Sequence, residues 1–144
     1  MIDIFIDGSA NEKTKSYGYA FVVVENKKAI KKQFGKIKNS NINRAELESL
    51  YQALLYIDSH EGEFEIYSDC EVIVKSLHGD IKRNGNRDYW ELIEPLCEKN
   101  VGRFNIFHIP SHRKDESYES KFNNLADRLA NKGANSLLIK PILR

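Results

Sequence analysis

Four acids stand out by where they fall: Asp7, Glu46, Asp69 and Asp127. Asp7 follows the apolar run at residues 2–6 (IDIFI), and Asp69 follows residues 64–68 (FEIYS). A charge at the end of an apolar strand is costly unless it is solvated, paired or metal-bound. Adjacent parallel strands would set Asp7 and Asp69 side by side, and a divalent cation relieves the repulsion of two such charges. Ligation by oxygen alone, with no His–Cys cluster, suits a hard ion. Mg²⁺ takes a few carboxylates plus water and substrate phosphate, and Mn²⁺ is a possible substitute. Each acid alone has a plainer reading. Asp7 and Asp69 suit turns, Glu46 suits the positive end of a helix, and Asp127 could pair with Arg128 or Lys132. Only the set, in its order, outweighs those readings.

Periodicity supplies the elements that must position these acids. Residues 2–6 alternate as a strand that Asp7-Gly8 is expected to end. Residues 19–25 (YAFVVVE) read as a second strand and residues 29–35 as a third, joined by a turn at Asn26, Lys27 and Lys28. Residues 43–59 are helical, with Leu47, Leu50, Leu54 and Ile57 on one face. A strand at 64–68 leads into a helix over 69–77. Asp88 should cap another helix through Trp90, Leu92, Ile93 and Leu96, kinked or ended at Pro95. Residues 103–109 alternate as a strand. A polar loop at 111–121 precedes a last helix over 122–132, which Gly133 should terminate. Three strands, then helix, strand, two helices, strand and helix, make a mixed sheet with helices packed on it, the α/β class.

The length of 144 residues suits one domain, residues 1–144, with 134–144 (ANSLLIKPILR) as a C-terminal extension that either joins the core or meets a partner. Cys70 and Cys97 form no CxxC pair, which argues against a zinc framework and fits a reducing compartment; both read as buried small hydrophobes. No apolar run approaches the roughly 20 residues of a membrane span. The start, MIDIFIDGSA, lacks the layout of a signal peptide, so the expectation is a cytoplasmic chain without membrane contact. Net charge is only +1, but residues 27–38 hold six lysines and no acid. That run reads as a solvated hairpin tip or as a phosphate-contacting patch.

The segments IFIDGSA, NRAELESLYQAL, IYSDCEVIVKSL, NRDYWELI and NNLADRLAN, in this order and spacing, resemble the successive signatures of the type 1 ribonuclease H family. The resemblance runs from Ile4 to about Asn131. It implies a five-stranded mixed sheet, antiparallel in its first three strands and parallel in the rest, flanked by helices. It also implies an endonuclease that hydrolyses the RNA strand of RNA–DNA hybrids with two Mg²⁺ ions, as a monomer, leaving 5′-phosphate and 3′-hydroxyl ends. Asp7 matches the acid that bridges the ions, Glu46 and Asp69 complete one site, and Asp127 completes the other. His112 resembles the family's loop histidine, associated with product release or proton transfer. Gly8, Ser9, Asn43 and Asn123 match positions near the substrate, and Trp90 an aromatic near the DNA-strand phosphates. Tyr89 and Trp90 also read as core residues at helical spacing.

The chain departs from the family pattern in three places. Ser111 stands where a glycine usually precedes the histidine, and the loop from His112 to Asp127 is longer. Asn41 is displaced from the usual paired asparagine. The basic handle helix of some bacterial members shrinks to residues 78–87, leaving Lys82, Arg83 and Arg87 as its substitute for contacting substrate. Two rival readings stay open: a silent hybrid-binding module, and another nuclease of the same fold.

Overall fold

The computed structural model describes residues 1–38, 40–111 and 115–136. Five strands, β1 (Ile2–Asn11), β2 (Ser16–Glu25), β3 (Lys28–Ile37), β4 (Phe64–Ser68) and β5 (Phe104–His108), form one sheet in the order β3-β2-β1-β4-β5. β1 to β3 are antiparallel neighbours, whereas β4 runs parallel to β1 and β5 parallel to β4. The helices are α1 (Ile42–Asp58), α2 (Glu71–His78), α3 (Arg87–Lys99) and α4 (Tyr118–Asn135). This is the mixed, five-stranded α/β architecture expected from the sequence. Among the described residues, no helix is long and apolar enough to cross a membrane.

Strand alternation gives the sheet two apolar faces. On one, Ile4, Ile6, Phe21, Val23, Ile66 and Ile106 meet the α1 stripe of Leu47, Leu50, Leu54 and Ile57, with Tyr89, Trp90 and Ile93 of α3 behind it. On the other, Phe5, Val22 and Val24 meet Phe122 and Ala126 of α4. Each large side chain so buried contributes about 1.5–3 kcal/mol relative to exposure. Tyr89 and Trp90 are core residues, as their helical spacing suggested. Cys70 and Cys97 are only half-buried, less than expected. Burial still raises the Cys70 thiol to about 12 and the Cys97 thiol to about 11, which keeps both protonated.

Several boundaries move, each for a local reason. Asp7-Gly8 does not end β1. The β1–β2 ladder continues to Asn11↔Ser16, so Asp7 lies inside the strand. The hairpin turn is Asn26-Lys27 alone, both at positive φ (53° and 62°), as a two-residue type I′ turn requires, and Lys28 already pairs with Glu25. Asn41 caps α1, its Oδ1 accepting from the Arg44 amide at 3.0 Å. Asp69 precedes α2 instead of opening it, because Ser68 Oγ accepts from the Cys70 amide and turns the chain there. Asp88 is not the α3 cap; it lies in the first turn, after Asn86. Pro95 neither ends nor divides α3: it is exposed, so the carbonyl freed at Glu91 can bond water. α4 starts four residues early, capped by Ser117 Oγ on the Ser120 amide, which shortens the polar loop. Gly133 lies within α4 and not beyond it, for a packing reason described below.

Candidate active site

Parallel register builds the centre of the site. Ile6 of β1 pairs with Ser68 of β4, so the next residues, Asp7 and Asp69, emerge side by side. α1 brings Glu46 to the same point, and Gly8 is what allows it. A Cβ at residue 8 would sit 2.5 Å from the Glu46 amide nitrogen and 2.6 Å from the Ala45 carbonyl carbon. Only hydrogen fits where the helix backbone crosses the strand. Gly8→Ala should therefore push α1 away and cost ~1–3 kcal/mol, as overpacking does. Thermal denaturation checks this; an unchanged melting temperature would mean that α1 shifts freely. Sequence alone assigns Gly8 to substrate and misses this role.

One oxygen from each of Asp7, Glu46 and Asp69 lies within 4.8 Å of the others. Asp7 and Glu46 are 3% and 7% exposed, so water relieves little of the crowding. Asp7 Oδ1 accepts from the Gly8 amide at 3.0 Å. Asp7 Oδ2 and Glu46 Oε1 are buried with no hydrogen-bond partner among the described residues. Burial, then the charges of Glu46 and Asp69, push the Asp7 carboxyl far above the usual carboxylate range. Burial and then Asp69 raise Glu46, partly offset by the Gly8 amide and the Cys70 thiol. Asp127, half-buried on α4, lies outside the group of three but close enough to raise Asp7 further.

A buried pair of orphaned carboxylate oxygens is a poor resting state and a good ligand set. The residues fit a hard divalent cation.

A polar seam joins α4 to β1 around these acids. Tyr118 donates to Asp3 at 2.7 Å, Ser9 Oγ donates to Asn131 Oδ1, and Asn11 donates to Asn135 at 2.8 Å. Asn123, 2% exposed, donates to Asp69 Oδ2 at 3.4 Å, and its own Oδ1 has no partner among the described residues. Ser9 and Asn123 thus hold the scaffold of the site. Asn43 is exposed in the first turn of α1 and borders a shallow cavity of about 280 Å³ with Val72, Lys82, Arg83 and Trp90. Arg83 stacks over Trp90 at 3.8 Å and pairs with Glu94, whereas Arg87 pairs with Glu91 at 3.0 Å and does not border the cavity. Of the three proposed basic contacts, Lys82 alone has no carboxylate partner among the described residues. His112 lies outside the described residues. Arg44 went unassigned in the sequence, yet it clamps α1 to α3, bidentate on Asp88 at 3.0 and 2.6 Å with its guanidinium over the Tyr89 ring.

The RNase H family model matches residues 1–135, nearly the whole chain. The chain belongs to the ribonuclease H family. It is thereby a nuclease of the hydrolase class. Solved structures share the chain's fold at low sequence identity. LC11-RNase H1, in a crystal structure with an RNA/DNA hybrid, is 24% identical over 94% of this chain and 97% of its own, with a TM-score of 0.75. The N-terminal RNase H domain of a Mycobacterium tuberculosis protein is 22% identical over 93% and 98%, at 0.77. The foamy viral protease-reverse transcriptase, solved with dsDNA, is 20% identical over 94% and 95%, at 0.80. No curated protein matches the chain by sequence.

Proposed function

We propose that this member of the family is an endoribonuclease that cuts the RNA strand of RNA–DNA hybrids with two divalent ions, Mg²⁺ by preference, leaving 5′-phosphate and 3′-hydroxyl ends. The observation that carries the reading is the trio of buried Asp7 and Glu46 with half-buried Asp69, within 4.8 Å of one another and with two oxygens unpartnered among the described residues. The hybrid in the similar LC11-RNase H1 structure supports the substrate class.

In this reading Asp7 is shared between two sites. Glu46 and Asp69 complete one, and Asp127 completes the other. Bound ions supply Lewis-acid stabilisation of the phosphoryl charge and acidify water. The reaction joins a water oxygen to phosphorus and breaks the bond to O3′, which gains a proton. Gly8 sets the depth of α1, and Asn123 holds Asp69 by its Nδ2–H. The Gly8 amide and the Ser9 hydroxyl already bond within the protein, so Asn43 is the best placed to read the 2′-hydroxyl that marks RNA. Lys82 would meet a phosphate beside it. His112 is assigned to faster turnover.

The test is cleavage of matched labelled RNA–DNA, RNA–RNA and DNA–DNA duplexes, with and without EDTA. We expect scission of the hybrid's RNA strand only, abolished by EDTA, and slowed but not eliminated by His112→Ala. Tight binding without scission would replace this reading with a silent binding module. Cutting of the DNA duplex would point to another nuclease chemistry on the fold.

A further inference from the structure

The lysine run at residues 27–38 plays no part in the acidic site, and its placement suggests a separate use. β3 is an outer strand, paired only with β2. Asp7 pairs with Ala20 and Ala20 with Phe34, so Phe34 shares a row and a face with Asp7. Two strand spacings, about 10 Å, separate them. Lys32 and Lys36 flank Phe34 on that face, two residues to either side. α4 packs on the same face and adds Lys132, whose ammonium lies 5.3 Å from the centre of the Phe34 ring. Phe34 is 37% exposed, and among the described aromatic residues only Phe107 is as open. Arg44, Lys75, Arg83, Arg87 and Lys99 each have a carboxylate partner. On this face, Lys32, Arg128 and Lys132 have none among the described residues, whereas Lys31, opposite Val23, and Lys28, opposite Glu25, point to the other face.

We propose that the β3–α4 edge is a second nucleic-acid contact, which holds a single strand by its phosphates on these lysines and by one base on Phe34. Unpaired cations along a strip favour a polyanion, and an exposed ring among them gives any unpaired base a stacking surface. A duplex offers no free base face, which is why the occupant is single-stranded. The proposal rests on membership of a nuclease family and not on hybrid cleavage. Lysines on an open sheet edge also block pairing with another sheet. That role leaves oligonucleotide affinity indifferent to the variants below.

The experiment is fluorescence anisotropy of a labelled 15-mer of oligodeoxythymidine with the full chain in EDTA, across a salt series. Phe34→Ala should weaken binding by about 5- to 100-fold. Lys32→Gln with Lys132→Gln should weaken it and flatten the slope of log K against log salt by about 0.7 for each phosphate no longer neutralised. The lysine pair is fully on the surface, so its unchanged melting temperature serves as the folding control. Wild-type affinity and slope in the lysine variant, or no binding by the wild type, would overturn the proposal. Neither result bears on whether the hybrid is cut, which the duplex panel measures separately.

Discussion

Asp7→Asn is expected to abolish divalent-dependent cleavage of the hybrid while raising the melting temperature of the metal-free chain. The two effects share one cause. Asp7 is 3% exposed, faces Glu46 and Asp69 within 4.8 Å, and carries an oxygen without a partner among the described residues. The amide keeps the shape of the carboxyl and removes the charge. Without metal, a source of repulsion is gone, worth ~1–3 kcal/mol for a carboxyl held away from its ordinary titration range. In a domain of this size that is about 2–10 °C. With metal, the residue shared by both proposed sites is lost. The rate should then fall by more than the roughly 10- to 100-fold typical of losing an outer hydrogen-bond partner to a metal ligand. Calorimetry in EDTA and single-turnover cleavage in Mg²⁺ measure the two halves. A lower melting temperature together with full activity would dismiss the cluster as functional.

The metal-free chain should lose stability as pH rises from 5 to 9, and saturating Mg²⁺ should flatten or reverse that slope. Asp7 and Glu46 both have folded-state pKa values above their unfolded ones. Folding therefore takes up protons. The associated stability is whole below about pH 4 and is lost as pH climbs through the raised values, at ~1.4 kcal/mol per pH unit for each extra proton held. Divalent ions bind the ionised carboxylates and compete with those protons, so their stabilising effect grows with pH. The exposed pair with Arg44 lowers Asp88 to about 2, which has the opposite sign. Its contribution is present above about pH 4 and fades only in stronger acid, outside this window. Melting temperatures across the pH series, in EDTA and in Mg²⁺, check the prediction. A flat EDTA series would mean that the acids ionise freely.

The element order was legible because it rests on local patterns such as the alternation in β1 and β5 and the leucine stripe in α1, whereas the strand pairing came from the resemblance to the ribonuclease H family. Convergence of Asp7 and Asp69 follows from two adjacent parallel strands whose register sets Ile6 opposite Ser68. What could not be read were contacts between distant segments. Gly8 looks like a turn residue beside an aspartate, and nothing in the chain announces that the backbone of residues 45 and 46 crosses it. Asp88 looks like a helix cap, but Arg44, 44 residues away, claims it. The strand-ending signal at Asp7-Gly8 was outweighed by a ladder that extends to Asn11, decided by where β2 begins. Gly133 looked like a stop because its use is as a surface for another backbone.

That last feature has a consequence for how the enzyme can vary. Cβ atoms added at Gly18 or Gly133 would strike the opposing backbone of α4 and of Gly35, respectively, so this end of the helix rests directly on β2 and β3. Asp127 rides on the same rigid rod, six residues before Gly133. Its height above the sheet is therefore set partly by bare backbone well away from any bond being broken. Drift at those small positions would detune the fourth acid like a shim slipped under one end of a beam.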